Sequence, residues 1–111
     1  MMKTISLKQN RDFQRLYKRG GKAVSKNLII YYRKNQEQGH RVGITVSKKV
    51  GSAVVRNKVK RRIKECFRKV EGKIPKPHDI VIVARPRCAE SEFSDILKDL
   101  EKLVIESGLC E

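Results

Sequence analysis

Between Lys48 and Lys69 the chain sets ten Lys and Arg residues against one acid, Glu65. Cations packed this densely suit phosphate neutralisation, each contact releasing condensed counterions. On a helix at 100° per residue, Val55, Val59, Ile63, Cys66 and Val70 share an arc of about 80°. Arg56, Asn57, Lys60, Arg61, Lys64 and Arg68 occupy a separate arc, from about 100° to 240°. One face can pack on a sheet while the other offers a cationic stripe. Asn57 is either a directional donor and acceptor within that stripe or an ordinary polar helix residue. The preceding loop, Ser47-Lys48-Lys49-Val50-Gly51-Ser52-Ala53, brings Lys48 and Lys49 close to the helix N-terminus, where backbone N–H groups favour phosphate. Gly51 permits a tight turn there, but the GxxxxGK[ST] spacing of a P-loop is absent.

A second set of residues suits single-stranded nucleic acid. Phe13 and Tyr17 are four apart and share a helix face. Such rings can stack bases beside a cationic groove. Core packing is the plainer reading of such rings. A self-sufficient nuclease is not supported, because metal-assisted phosphoryl hydrolysis needs clustered carboxylates or histidines. Residues 1–87 hold only Asp12, Glu37, Glu65, Glu71 and Asp79, all scattered. Cys66, Cys88 and Cys110 are widely spaced with no CxxC pair, so no zinc ribbon or finger is indicated. They read as buried or incidental thiols of a reducing cytoplasm. His40 and His78 flank no ligand set.

The 111 residues carry 27 basic and 12 acidic side chains, a formal net charge of +15 with a pI near 10.1. Residues 1–87 hold 25 of the basic residues and 5 of the acids, whereas residues 88–111 set Lys98 and Lys102 against seven acids. A polyanionic partner follows, nucleic acid being the commonest, with a merely solvated basic surface as the plainer alternative. The length suits a single domain, 1–111. Residues Ser6 to Gly20 read as a helix, with Ser6-Leu7-Lys8-Gln9 as a capping box or Asn10 as the N-cap. A left-handed glycine at Gly20-Gly21 is expected to end it. Residues 22–25 add a short extended piece. Strands at Leu28–Tyr32 and Arg41–Ser47 suggest an antiparallel hairpin. The basic helix follows over Val54–Val70, then a strand at Asp79–Ala84 buried on both faces. Ser91 is expected to cap a last amphipathic helix. The result is an α/β (α+β) two-layer sandwich in the order αβββαβα, with helices packed on a sheet of about four strands. No apolar run approaches a membrane span, and Met1-Met2-Lys3-Thr4-Ile5-Ser6 lacks a signal-peptide core. A membrane-surface role would waste the basic helix's apolar face, which so small a domain needs for its core.

The run from Arg41 to Glu65 closely resembles the protein subunit of bacterial ribonuclease P. That family's signature is a glycine-containing loop, then Arg-Asn-Arg, Lys-Arg and Arg-Glu in one helix. This chain keeps Arg56, Asn57, Lys60, Arg61 and Glu65, with Lys58 and Lys64 where the family usually has Arg. Those two keep the charge but lose the planar guanidinium fork. Asp12–Tyr17 with Gly20 is similar to the family's first helix, and Asp79–Pro86 to its last strand. The resemblance implies a mixed four-stranded sheet with a left-handed βαβ crossover, against the usual hand. It implies an RNA-binding subunit that assists a catalytic RNA in removing the 5′ leader from precursor tRNA. Mg²⁺ is then bound mainly by the RNA subunit and the substrate, with one protein per RNA, in the cytoplasm. Arg56, Asn57, Lys58, Lys60, Arg61 and Lys64, with Lys48 and Lys49, would face the RNA subunit. Phe13, Tyr17 and Tyr31, and more weakly Thr45 and Ser47, would line the leader cleft. The alternative is a general RNA-binding module of ribosomal-protein type.

Overall fold

The run His78–Ala84 alternates little in polarity and is apolar at five consecutive positions, so it satisfies its side chains only between two cores. In the computed structural model, which describes residues 4–111, it becomes the central strand. The elements are β1 (Ile5–Ser6), α1 (Asn10–Arg19), β2 (Gly21–Val24), β3 (Leu28–Lys34), β4 (Arg41–Thr45), α2 (Ala53–Val70), β5 (His78–Ala84) and α3 (Phe93–Glu106). The sheet order is β1-β4-β5-β3-β2. β5 runs antiparallel to β3 and parallel to β4, so β4-α2-β5 is a parallel βαβ unit. Ile80 and Ile82 join Ile30 of β3 in the core under α2 and α3. Val81 and Val83 face the other way and join Leu16, Phe13, Tyr17 and Tyr31. The sandwich of sheet with α2 and α3 is as expected, and α1 adds a partial layer on the opposite face.

Several local expectations are corrected. The sheet has five strands, because Ile5–Ser6 pairs in parallel with Arg41–Val42; two residues are too few to show a period. α1 begins at Asn10 with Gln9 as N-cap, so neither the Ser6–Gln9 box nor an Asn10 cap forms. Gly20 is extended (φ −80°, ψ 165°). It and Gly21 are demanded by close approach instead, since a Cβ would meet the Leu16 carbonyl oxygen at 2.7 Å and the Tyr32 ring at 2.4 Å respectively. β3 and β4 do not form a hairpin, because β5 lies between them. The six-residue connection can skip a strand, since it reaches ~20 Å and needs to span only about 10 Å. α3 is capped at Glu92, whose N–H donates to Asp95 Oδ2 (3.3 Å). Ser91 Oγ lies instead 2.6 Å from Asn27 Oδ1 and 3.0 Å from the Arg87 carbonyl, its one proton going to either acceptor. The opening Met1–Lys3 lies outside the described residues.

The β3–β4 connection crosses the start of β5 and is tied to it. Asn35 N–H donates to the Pro77 carbonyl (3.1 Å), and the His78 N–H donates to His40 Nδ1 (3.1 Å). His40 is 1% exposed, edge-on to Phe67, with no partner for its buried Nε2. An accepting Nδ1 requires the neutral ring. Burial first, and the neighbouring His78 second, hold its pKa below the ordinary 6.5. The unfolded chain therefore takes up a proton that the fold resists, and stability falls as pH drops below about 6.5. In urea unfolding, the midpoint should fall more for the natural chain between pH 7.5 and 5.5 than for His40→Asn, whose side-chain oxygen accepts the same N–H at either pH. An equal fall in both would contradict this role.

Candidate nucleic-acid interface

The 3.6-residue period of α1 brings Asn10, Phe13, Gln14 and Tyr17 onto one face. That face borders an open groove of about 390 Å³, completed by Lys8 and Thr45. Tyr17 Oη lies 3.5 Å from Thr45 Oγ1, joining α1 to the end of β4. Tyr31 stands edge-on to Tyr17 with centroids 4.8 Å apart, and Lys22 Nζ lies 5.7 Å from the Tyr31 centroid. Phe13, Tyr17 and Tyr31 are all half-buried, so each packs against Leu16 and Val81 while keeping some surface open. The rings are thus core on one side and open on the other. Ser47 does not join them: it lies beyond the strand, exposed, where its carbonyl accepts the Val50 N–H (3.0 Å). Lys8, Asn10 and Gln14 were not singled out from the sequence, although Asn10 precedes Phe13, and Gln14 precedes Tyr17, by the three residues that share a helix face; Lys8 lies before the helix.

Two acids on the α1 side of the sheet, Asp12 and Asp79, are neutralised internally. Arg41 donates to both Asp79 oxygens, from Nε (2.8 Å) and Nη2 (2.6 Å), and its Nη1 lies 4.0 Å from Asp12. The paired residues Arg41 and Asp79 face each other across β4 and β5. Burial alone would raise the Asp79 pKa, but the hydrogen bonds from Arg41 and Asn35 outweigh it and hold the carboxyl below its usual range. The same bond to Asp79 raises the Arg41 pKa.

On the opposite side of the sheet, α2 turns its cations outward. Its start is set by Ser52, whose Oγ accepts the Val55 N–H (3.3 Å). The turn before it is closed by Gly51 at φ 157°, where a Cβ would touch Val55 Cγ1 at 3.0 Å. Lys48 and Lys49 are exposed in that turn, above buried Val50. Asn57, Lys58, Lys60, Arg61 and Lys64 are exposed, and no salt bridge among the described residues engages these cations. Arg56 differs: it is half-buried and its Nε donates to the Gly51 carbonyl (3.2 Å), so it also braces the turn. The apolar stripe is wider than the sequence arc, because Phe67, about 120° from Val55, is buried with Val59, Ile63, Cys66 and Val70. The two surfaces adjoin at the β4 edge. β1 stops at Ser6, and a cavity of about 200 Å³ there is bordered by Lys8 and Phe13 from one side and by Ile44, Lys60 and Lys64 from the other.

Among the described residues no three His, Cys, Asp or Glu side chains converge on a metal position. Cys66 and Cys88 are buried, which pushes both thiols up to about 11, whereas Cys110 is exposed. A disulfide-exchange reagent at pH 8 should label Cys110 alone in the folded protein and all three thiols after denaturation. Rapid labelling of Cys66 or Cys88 in the folded state would contradict the packing described.

The chain matches the Ribonuclease P family model over residues 1–107. It is 47% identical over 104 residues to the ribonuclease P protein component of Alkaliphilus metalliredigens, covering 94% of each chain. It is 45% identical over 103 residues to that of Clostridioides difficile, covering 92% of this chain and 90% of the relative. A solved structure of the Staphylococcus aureus RNase P protein superimposes with a TM-score of 0.86 at 34% identity, covering 96% of this chain and 97% of that one. The Thermotoga maritima RNase P protein does so with a TM-score of 0.81, also at 34% identity, covering 91% and 96%. A groove of half-buried aromatics, an outward cationic helix behind a glycine turn, and likeness along nearly the whole length agree: the chain belongs to the ribonuclease P protein family.

Proposed function

We propose that this protein presents two RNA surfaces, one on each side of its sheet. Family membership makes it the RNA-binding protein subunit of a ribonucleoprotein endoribonuclease of tRNA processing, in which RNA carries the catalysis. On our reading, the catalytic RNA takes the outer face of α2 through Asn57, Lys58, Lys60, Arg61 and Lys64, with Arg56, Lys48 and Lys49. The single-stranded 5′ leader of precursor tRNA takes the groove of Phe13, Tyr17 and Thr45, backed by Tyr31. The observation that carries this is the open groove beside half-buried rings on the face opposite the free cations. Mg²⁺ is supplied on this reading through the RNA and substrate, one protein serves one RNA, and the complex works in the cytoplasm. Ser47, exposed beyond the strand, is left out of the leader groove.

The chain's own contribution is binding and orientation. Ring stacking on leader bases is made alike before and during hydrolysis, so it raises affinity more than turnover. Phe13→Ala should weaken the holoenzyme's affinity for precursor tRNA by about tenfold, the scale of one stacked base. Its KM should rise with kcat little changed, and its affinity for mature tRNA should not change. A general RNA-binding module of ribosomal-protein type would lose both affinities equally, and that outcome would overturn the leader assignment.

The α2 surface makes a separate prediction. Lys60→Ala and Arg61→Ala should each lower affinity for the ribonuclease P RNA and reduce the slope of log affinity against log salt by about one unit. Arg56→Ala should also loosen the Ser47–Gly51 turn. Unchanged slopes for Lys60→Ala and Arg61→Ala would rule out direct phosphate contact. The protein alone, given precursor tRNA and Mg²⁺, should not cleave it, and cleavage would contradict RNA-borne catalysis.

A further inference from the structure

Gly43 lies buried in β4, directly beneath Phe13. A Cβ at Gly43 would stand 2.4 Å from Phe13 Cζ, 2.6 Å from Cε1, and 3.4 Å from Leu7 Cβ. Carbon atoms in contact keep about 3.5–4.0 Å, so a methyl group and this ring position exclude one another. The backbone does not itself call for glycine here, since positive φ occurs only at Gly51 and Gly108 among the described residues. Nor can the strand withdraw. Gly43 is in register with Val81 of β5, and its neighbours Val42 and Ile44 pack into the opposite core. The ring is the part that can move, being the far end of a side chain on α1. The space open to it is the groove bordered by Lys8, Gln14, Tyr17 and Thr45.

We propose that Gly43 is a positioning residue for substrate recognition: its missing side chain lets Phe13 seat against β4 and so sets the depth of the leader groove. This rests on the assignment of the groove to the leader. Any side chain at residue 43 would lift the ring into the space the bases need, without touching substrate itself. The consequence is a loss of preference for leader-bearing tRNA from a residue on the groove's floor.

The test is a double-mutant cycle in the reconstituted holoenzyme, with Gly43→Ala, Phe13→Ala and the pair. The readout is the ratio of affinities for precursor and mature tRNA, with far-ultraviolet circular dichroism to report folding. Gly43→Ala should lower that ratio several-fold, approaching the roughly tenfold loss of Phe13→Ala. In the Phe13→Ala background the same change should alter the ratio by less than about twofold, since coupled sites are non-additive. If Gly43→Ala fails to fold and the double variant folds, the steric dependence on the ring is upheld. If both fail to fold, or if Gly43→Ala folds and keeps the full ratio while Phe13→Ala loses it, the positioning role is overturned. If Phe13→Ala itself keeps the ratio, the leader assignment falls, and this inference falls with it.

Discussion

The arrangement depends on one strand that is apolar on both sides. β5 cannot lie at a sheet edge or against solvent, so it takes the centre, and β3 and β4 flank it. Once β4 and β5 are parallel neighbours, their connection must cross over a face of the sheet, and that connection is α2. The helix with most cations is thus fixed to one face by Val59, Ile63, Cys66, Phe67 and Val70. The other face of β5 needs its own cover, and α1 supplies only part of it. A groove beside α1 is the direct result of incomplete cover. Two surfaces of different chemistry, on opposite sides of one sheet, therefore follow from the burial demands of seven residues.

Charge is sorted by the same geometry. The few acids of the cationic body are largely committed inside the fold. Asp79 and Asp12 face Arg41, and Glu71 accepts from Thr4 Oγ1 (2.8 Å). In the acidic last helix, Asp99 accepts from Ser25 Oγ, Asn27 N–H and Asn27 Nδ2, all within 3.0 Å, and so holds the β2–β3 turn. Some cations are structural too. Arg62 donates to the Ser91 carbonyl (3.1 Å), tying α2 to the segment before α3. Among the described residues, the exposed α2 cations without a salt bridge are Lys58, Lys60, Arg61, Lys64 and Lys69, available to a polyanion.

The amphipathic helices were legible because their apolar period is sustained, as from Val55 to Val70, and the central strand because Asp79–Ala84 is a short, β-branched apolar run bounded by prolines. The outward face of α2 followed from the same wheel, whereas the resemblance to the family rests on the ordered run from Arg41 to Glu65. Three things were not legible. Strand neighbours were not, because the Asn35–His40 connection is long enough to pass over β5, and hydrogen bonds from Asn35 and His40 to its start are tertiary. β1 was not, because its two residues acquire strand geometry only from β4. The glycine roles were not, because Gly20, Gly21 and Gly43 answer to rings and carbonyls remote in sequence rather than to dihedral angles. The aromatic groove lay between these cases. Phe13 and Tyr17 were visible as a pair, but only packing shows that they are core and surface at once.

The central claim is that the two sides of the sheet meet two different RNAs. Site-directed photocrosslinking tests it most directly. With exposed Cys110 replaced by Ser, a cysteine-linked crosslinker would be placed at Gln14→Cys beside the groove, or at Lys58→Cys on α2, in the holoenzyme bound to precursor tRNA. The account predicts crosslinks from residue 14 to leader nucleotides and from residue 58 to the ribonuclease P RNA. Crosslinks from both positions to the same RNA molecule would contradict it.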